Sequence, residues 1–294
     1  MRFYSLVTAA FVAFLSNAAT HGTELATTFT PAGESDTSIE LCGFSNLGGC
    51  CNTGPQITFD VDFVFSKYHQ SGGVQSIDAG SIIGNGDNVD FGFDLSPRFT
   101  LGAESCNGLG ARVRYWFFDQ TESTVDNTGF VSIDAYTFDM EIYKRVQLGK
   151  STTLEGFGGI RWSEFNLDDD TGLDWRVDGA GLTTGFEISH QFRCNHRLYA
   201  GTRLGMVMGD AILADNGDLD DATGMAINNT SLQVELSAGY EGKTQLGRRM
   251  TLVYGGGAEV QNWSDAAVKA DASDEAYLTD AGWVGLTFRL GAEY

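Results

Sequence analysis

Ile57-Thr58-Phe59-Asp60-Val61-Asp62-Phe63-Val64-Phe65 carries an aromatic or aliphatic side chain at every odd position and Asp at two of the even ones. A period of two marks a strand with one apolar and one polar face. The same phase recurs in Phe91, Phe93, Leu95, Phe99, Leu101 and Ala103, with Asp94, Arg98, Thr100 and Glu104 between them. It returns in Leu109, Ala111, Val113, Tyr115 and Phe117, with Arg112 and Arg114 between. Ten such segments can be marked, at 57–69, 88–105, 109–121, 131–146, 152–165, 180–193, 197–210, 230–243, 250–263 and 282–294. Helical periodicity is almost absent.

The connections alternate in length. Short turns lie around Cys106-Asn107-Gly108, Gly149-Lys150, Cys194-Asn195-His196 and Leu246-Gly247-Arg248. The other connections are mostly long and acidic: Gln70 to Asp87, Ser123 to Gly129, Asn166 to Gly179, Ala211 to Asn229 and Ser264 to Ala281. Short turns at one end and long loops at the other predict an all-β, transmembrane, up-and-down antiparallel β-barrel of about ten strands, with eight or twelve as alternatives. A soluble β-sandwich or lipocalin-like barrel also alternates, and the aromatics separate the two. Trp116, Trp162, Trp263 and Trp283 fall at long-loop ends and Trp175 within a long loop, with Tyr68 and Tyr136 on the same side. Tyr143, Tyr199, Tyr240, Tyr254 and Tyr294 fall toward the short turns. Two aromatic levels predict girdles at two lipid–water interfaces.

Charge excludes other classes. The 294 residues carry 39 Asp and Glu against 18 Lys and Arg, a formal charge of −21, which excludes a nucleic-acid binder built on clustered cations. With 38 Gly but 3 Pro, the chain is neither collagen-like nor a Pro-rich disordered polymer. Arg2, the apolar run Leu6 to Leu15 and the small residues Ser16-Asn17-Ala18-Ala19 predict a signal peptide over 1–19, the run being too short to span a bilayer. A periplasmic, Cys-containing leader follows over 20–56, and the barrel over 57–294. The predicted location is the bacterial outer membrane.

In lipid every backbone polar group must pair within the sheet, so the sheet closes and its apolar rows face outward. Outward rows include Tyr136, Phe138, Met140 and Ile142; Leu154, Ile160 and Trp162; Leu182, Phe186 and Ile188; and Phe288, Leu290 and Tyr294. The inward rows hold Arg98, Arg112, Arg114, Asp139, Glu141, Glu155, Arg161, Glu187, Arg203, Glu235, Glu259 and Arg289 as the expected pore lining, with Asp60, Asp62, Asp94, Glu104, Glu241 and Glu293 beside them. Six Arg thus meet twelve carboxylates, an excess that predicts a mild cation preference in a narrow pore for ions or small solutes. Inward glycines such as Gly159, Gly201, Gly205, Gly239, Gly255, Gly257, Gly285 and Gly291 either hold a thin water path open or relieve curvature. A barrel of about eight strands is filled by its side chains, whereas open channels go with about 16 to 18. The alternative is therefore a non-conducting structural or adhesive surface protein.

Gly108-Leu109-Gly110-Ala111-Arg112-Val113-Arg114-Tyr115-Trp116, after Pro97-Arg98-Phe99-Thr100-Leu101-Gly102, resembles the second hairpin of the Legionella-type major outer-membrane protein family, whose divergent members are abundant in planctomycete-like bacteria. Gly159-Ile160-Arg161-Trp162 resembles its mid-barrel strand, Arg203-Leu204-Gly205 with Gly209-Asp210 a later one, and Trp283-Val284-Gly285-Leu286 to Tyr294 its closing strand. The resemblance covers residues 57 to 294 and implies a pore-forming outer-membrane barrel. The long acidic loops depart from it.

Five Cys in an exported chain suggest disulfides. Cys42, Cys50 and Cys51 fall in the leader, and Cys106 and Cys194 in short turns on the same side, so leader-to-turn pairing would tether the leader across the barrel mouth. No metal set, cofactor motif, GxSxG elbow, phosphate loop or HExxH occurs, and the chain reads as a non-enzyme. His190, outward and alone, is the one candidate for surface lipase chemistry. Asp168-Asp169-Asp170 with Asp174, and Asp215 to Asp221, are solvated loop tips with divalent cations as possible partners, though neither has an EF-hand register. An alternating final strand ending in Tyr294 resembles the signal read by the barrel-insertion machinery.

Overall fold

The computed structural model describes residues 55–71, 74–75, 88–123, 129–169, 173–215, 225–246, 250–270 and 276–294. The expected signal peptide and all but the end of the expected leader lie outside them. The described chain is all-β: β1 (Gln56–Gln70), β2 (Val74–Gln75), β3 (Asn88–Val89), β4 (Phe93–Glu104), β5 (Leu109–Ser123), β6 (Phe130–Gln147), β7 (Thr152–Asp169), β8 (Leu173–Arg193), β9 (His196–Asp215), β10 (Met225–Leu246), β11 (Met250–Ala270) and β12 (Ala276–Glu293). Ten of them form one closed antiparallel barrel in the order β1-β12-β11-β10-β9-β8-β7-β6-β5-β4, with β4 returning to β1. Closure joins Phe59 to Ala292 and Phe63 to Phe288 on one side of β1, and Phe63 to Pro97 on the other. β2 and β3 pair only with each other, so the expected segment 88–105 is two elements.

Strands β6 to β12 run for 18 to 22 residues, about twice what a tilted strand needs to cross a bilayer. In the expected loops at Asn166–Gly179, Ala211–Asn229 and Ser264–Ala281 every described residue is strand, and Trp175 lies within β8, opposite Leu167 and Leu213. Side-chain polarity explains the extra length. On β6 the outward residues Tyr136, Phe138, Met140 and Ile142 are apolar, but Asp134 and Ser132 above them are polar. On β7 the outward row changes between Trp162 and Glu164, on β8 between Ala180 and Asp178, on β9 between Met208 and Asp210. The inward rows change the opposite way at about the same height: Asp139 and Thr137 give way to Ala135, Ile133 and Val131, and Arg161 and Ser163 to Phe165 and Leu167. Below this level the barrel is apolar outside and polar inside, as lipid demands. Above it the same strands are polar outside and apolar inside, as water demands. A lipid-facing belt and a raised extracellular collar thus share one continuous sheet, which is the fold of an outer-membrane β-barrel.

This inversion corrects the expected girdles. Trp116, Trp175, Trp263 and Trp283 do lie on the long-loop side, but they are at most 3% exposed and point into the barrel. Phe91, Tyr68, Tyr143 and Tyr199 are likewise inside. Trp116 shares the phase of Arg112 and Arg114, and Trp283 that of Arg289, so strand parity already places them inward. Of the five Trp only Trp162 faces outward, beside Phe138.

The belt boundary makes a direct prediction. Phe186→Arg, within the belt, should destabilise the barrel by about 2–4 kcal/mol, whereas Asn228→Arg, on the exposed collar, should change stability little; urea unfolding in lipid vesicles measures both.

Candidate functional site

The lumen holds two stacked layers. In the lower one, nearer the short turns, Arg161 is fully buried and donates from Nε and Nη2 to both oxygens of Asp139, at 2.6 and 2.8 Å, from Nη2 to Glu235 at 2.6 Å and from Nη1 to Gln233 at 3.0 Å. Arg114 bridges the same Asp139 and Glu235 at 3.3 and 2.6 Å. Arg203 reaches Glu141 at 2.9 Å, and Arg112 joins Glu141 to Glu155, each at 2.6 Å. Across the barrel, Arg98 forks onto Glu259 at 2.8 and 2.6 Å, and Arg289 links Asp62 at 2.7 Å to Glu241 at 3.4 Å. The network spans the bore: Arg114 on β5 meets Glu235 on β10, and Arg98 on β4 meets Glu259 on β11. Bidentate guanidinium forks suit this arrangement because they satisfy two carboxylate oxygens at once. Arg112 and Arg203 also pack over the Phe157 ring at 4.7 and 4.5 Å.

All twelve residues expected to line the pore face inward, and eleven of them are drawn into this network. Glu187 joins more loosely, 3.9 Å from Arg197, which itself pairs with Glu241. The sequence reading missed three inward cations. Arg145 pairs with Glu104 and Glu155, Arg197 with Glu241, and Lys243 with Glu293. Their positions keep the inward parity of Glu141, Tyr199 and Glu241, which is the signal that finds them. Nine cations now face the twelve carboxylates, so the net negative excess is smaller than the Arg rows alone suggest.

The upper layer is aromatic. Trp283 sits at its centre, with ring centroids 5.0 Å from Trp263, 5.4 Å from Trp116, 5.5 Å from Tyr68 and 5.9 Å from Phe118. Val131, Ile133, Phe165, Leu167, Trp175, Ala211, Ala266 and Ala267 are among the residues packed with it. The indole N–H of Trp175 donates to the Ala266 carbonyl at 2.9 Å. A small cavity lies where the layers meet, lined by Ser163, Phe165, Val207, Ser231, Gln233 and Trp263. A Cβ at Gly159, Gly239 or Gly257 would collide with the backbone carbonyl of Met140, Gly256 or Ala238 on the next strand, whereas one at Gly205 would meet the Arg161 side chain.

Other candidate residues are dispersed. His190 is exposed on the outer face, its Nδ1 3.0 Å from Thr152 Oγ1. Among the described residues no group of three or more His, Cys, Asp or Glu is placed to hold a metal ion. Cys194 is disulfide-bonded in the turn from β8 to β9, and Cys106 lies in the turn from β4 to β5; Cys42, Cys50 and Cys51 fall outside the described residues. Asp168 and Asp174 face each other across β7 and β8, not on a loop tip, and most of Asp215 to Asp221 lies outside the described residues.

No known protein family and no curated protein matches the chain. Among solved structures it is similar to the outer membrane protease OmpT from Escherichia coli, at 9% identity and TM-score 0.45, covering 83% of this chain and 97% of that one. It is also similar to the translocator domain of the autotransporter NalP from Neisseria meningitidis, at 14% identity and TM-score 0.47, covering 99% and 95%. The Pseudomonas putida toluene transporter TodX gives 9% identity and TM-score 0.33, covering 83% and 90%. At these similarities no activity transfers.

Removing one member of a buried ion network leaves the others uncompensated. Arg161→Met should cost about 3–5 kcal/mol of stability, and adding Asp139→Asn should recover part of that loss; a double-mutant cycle by urea unfolding in vesicles measures both.

Proposed function

We propose that the protein is a non-conducting outer-membrane barrel, a structural or adhesive surface protein whose working end is the extracellular collar. One observation carries this reading: an ion-paired layer and an aromatic layer succeed each other along the bore. An ion crossing it would break a cross-barrel Arg–carboxylate fork and then pass between Trp116, Trp263 and Trp283, each at most 2% exposed. The collar presents Asp119, Asp134, Glu164, Asp178 and Asp210 outward, and Asp119 faces Asp134 directly across β5 and β6, as Asp178 faces Asp210 across β8 and β9. Arg176 pairs with Asp178 at 3.1 Å and with Glu164 at 3.3 Å, whereas Asp119 and Asp134 set like charge against like charge, which destabilises the pairing, so a divalent counter-ion at that pair forms part of the reading. Export by the signal peptide and insertion through Tyr294 complete it.

The pore reading, with membership of the pore-forming family resembled above, keeps one observation in its favour: charged side chains line the bore across the belt. Planar-bilayer recording separates the two. The wild type should give no unitary current steps. Steps whose ion preference shifts in Arg112→Ala/Arg114→Ala would establish the pore instead.

A further inference from the structure

Cys194 is disulfide-bonded, and Cys106 is the only other cysteine among the described residues. Both lie at the short-turn end, Cys106 between β4 and β5 and Cys194 between β8 and β9. In the closed sheet four inter-strand steps out of ten separate these turns, roughly 19 Å of wall. A disulfide holds its Cα atoms within about 7 Å, so Cys106, nearly across the mouth, is out of reach. That leaves Cys42, Cys50 and Cys51, all in the leader, as the partners the sequence offers.

The leader joins the barrel at this same end. Gln56 stands opposite Glu104, and Ile57 exchanges backbone hydrogen bonds with Tyr294 at 2.9 and 2.8 Å. β1 is four steps from β9, so the point where the leader enters and the β8–β9 turn also face each other across the mouth. Ten strands enclose a mouth roughly 15–20 Å wide. The fourteen residues from Cys42 to Gln56 reach roughly 46 Å when extended, and the five from Cys51 roughly 17 Å. The anchor is firm, because the Asn195 carbonyl accepts from the Lys243 N–H at 2.8 Å and the Cys194 carbonyl accepts from Gln191 Nε2. Charge fits the same occupant. In a chain of net charge −21, Lys144, Lys150 and Arg193 are exposed at the short-turn end, and none is ion-paired among the described residues. The leader, residues 20–55, carries Glu24, Glu34, Asp36 and Glu40 and no Lys or Arg.

We propose that the leader lies across the short-turn mouth as a covalently held cover, bonded to Cys194 and with its carboxylates on the rim formed by Lys144, Lys150 and Arg193. The disulfide fixes where the leader crosses, and the opposed charges keep it against the rim. The closing segment comes from the chain itself, and it covers the lumen from below whether or not the bore above conducts.

The test uses the full-length barrel with its thiols blocked before digestion. Trypsin leaves Cys194 on the peptide Cys194–Arg197, Cys106 on Phe99–Arg112 and the three leader cysteines on one peptide ending at Lys67. Mass spectrometry without reduction should find Cys194–Arg197 joined to the leader peptide, in protein that runs as a monomer on a non-reducing gel. In phosphatidylcholine nanodiscs, where both faces are open, a glutamate-specific protease should cut after Glu34 and Glu40 about tenfold faster once the folded wild type is reduced, because the tether's effective concentration is lost. Lys144→Glu/Lys150→Glu should quicken the same cuts about twofold to fivefold. Heat-modifiable electrophoresis shows that the barrel stays folded in each case. Cys194 joined to Cys106, or to the leader only in a disulfide dimer, would overturn the proposal, as would cleavage that reduction leaves unchanged. Protection that appears only in phosphatidylglycerol nanodiscs would assign the rim cations to lipid headgroups and overturn it too.

Discussion

The structure depends on one constraint: in lipid, a sheet with an unpaired edge is intolerable, so the sheet must close. Closure fixes the side-chain phase of every strand, because a period of two leaves each residue facing either the bore or the exterior. The belt, the lumen network and the collar all follow from that phase. The residues at Arg98, Arg161, Glu235 and Glu259 are inward because their strand neighbours must face hydrocarbon. Once buried inside, guanidinium and carboxylate groups keep their charge by pairing.

The second organising feature is that strand phase persists while the solvent outside changes. Above the belt the outer face meets water, so the apolar residues move to the inner face without any change in parity. This produces a membrane barrel at one end and a water-soluble barrel, with its own aromatic core, at the other. Trp283 packing against Trp116, Trp263 and Tyr68 is the core of the soluble part. Beneath it, the ion pairs do the corresponding work for the membrane part. The β4–β5 ladder stops at Arg98 and Trp116 and the β10–β11 ladder at Gln233 and Trp263, near the junction where lipid gives way to water.

Much of this was legible in the sequence. The alternation in Ile57 to Phe65 and its recurrence gave ten strands, the antiparallel order and the inward charged rows. What stayed illegible has two physical causes. Strand ends extend further than the pattern suggests, because with apolar residues expected outside throughout, the reversed pattern in Ser132-Ile133-Asp134 or Glu164-Phe165-Asn166 resembles loop. Height alone assigns the Trp residues to the lipid interface, but the phase of Trp116 relative to Arg114 points it inward. Arg145 and Arg197 were overlooked near strand ends, where lumen and turn are hard to distinguish by pattern. The pairing of individual ions across the bore, such as Arg114 with Glu235, depends on barrel curvature and stagger, which a single sequence does not specify.

Under the non-conducting reading proposed above the bore is sealed, and tryptophan exposure measures that most directly. In a Trp162→Phe variant the four remaining indoles, Trp116, Trp175, Trp263 and Trp283, all lie in the upper layer. With acrylamide on both sides of the membrane, their fluorescence should be almost unquenched. Quenching comparable to that of an exposed tryptophan would mean that water reaches the layer from one end, and would contradict a sealed bore.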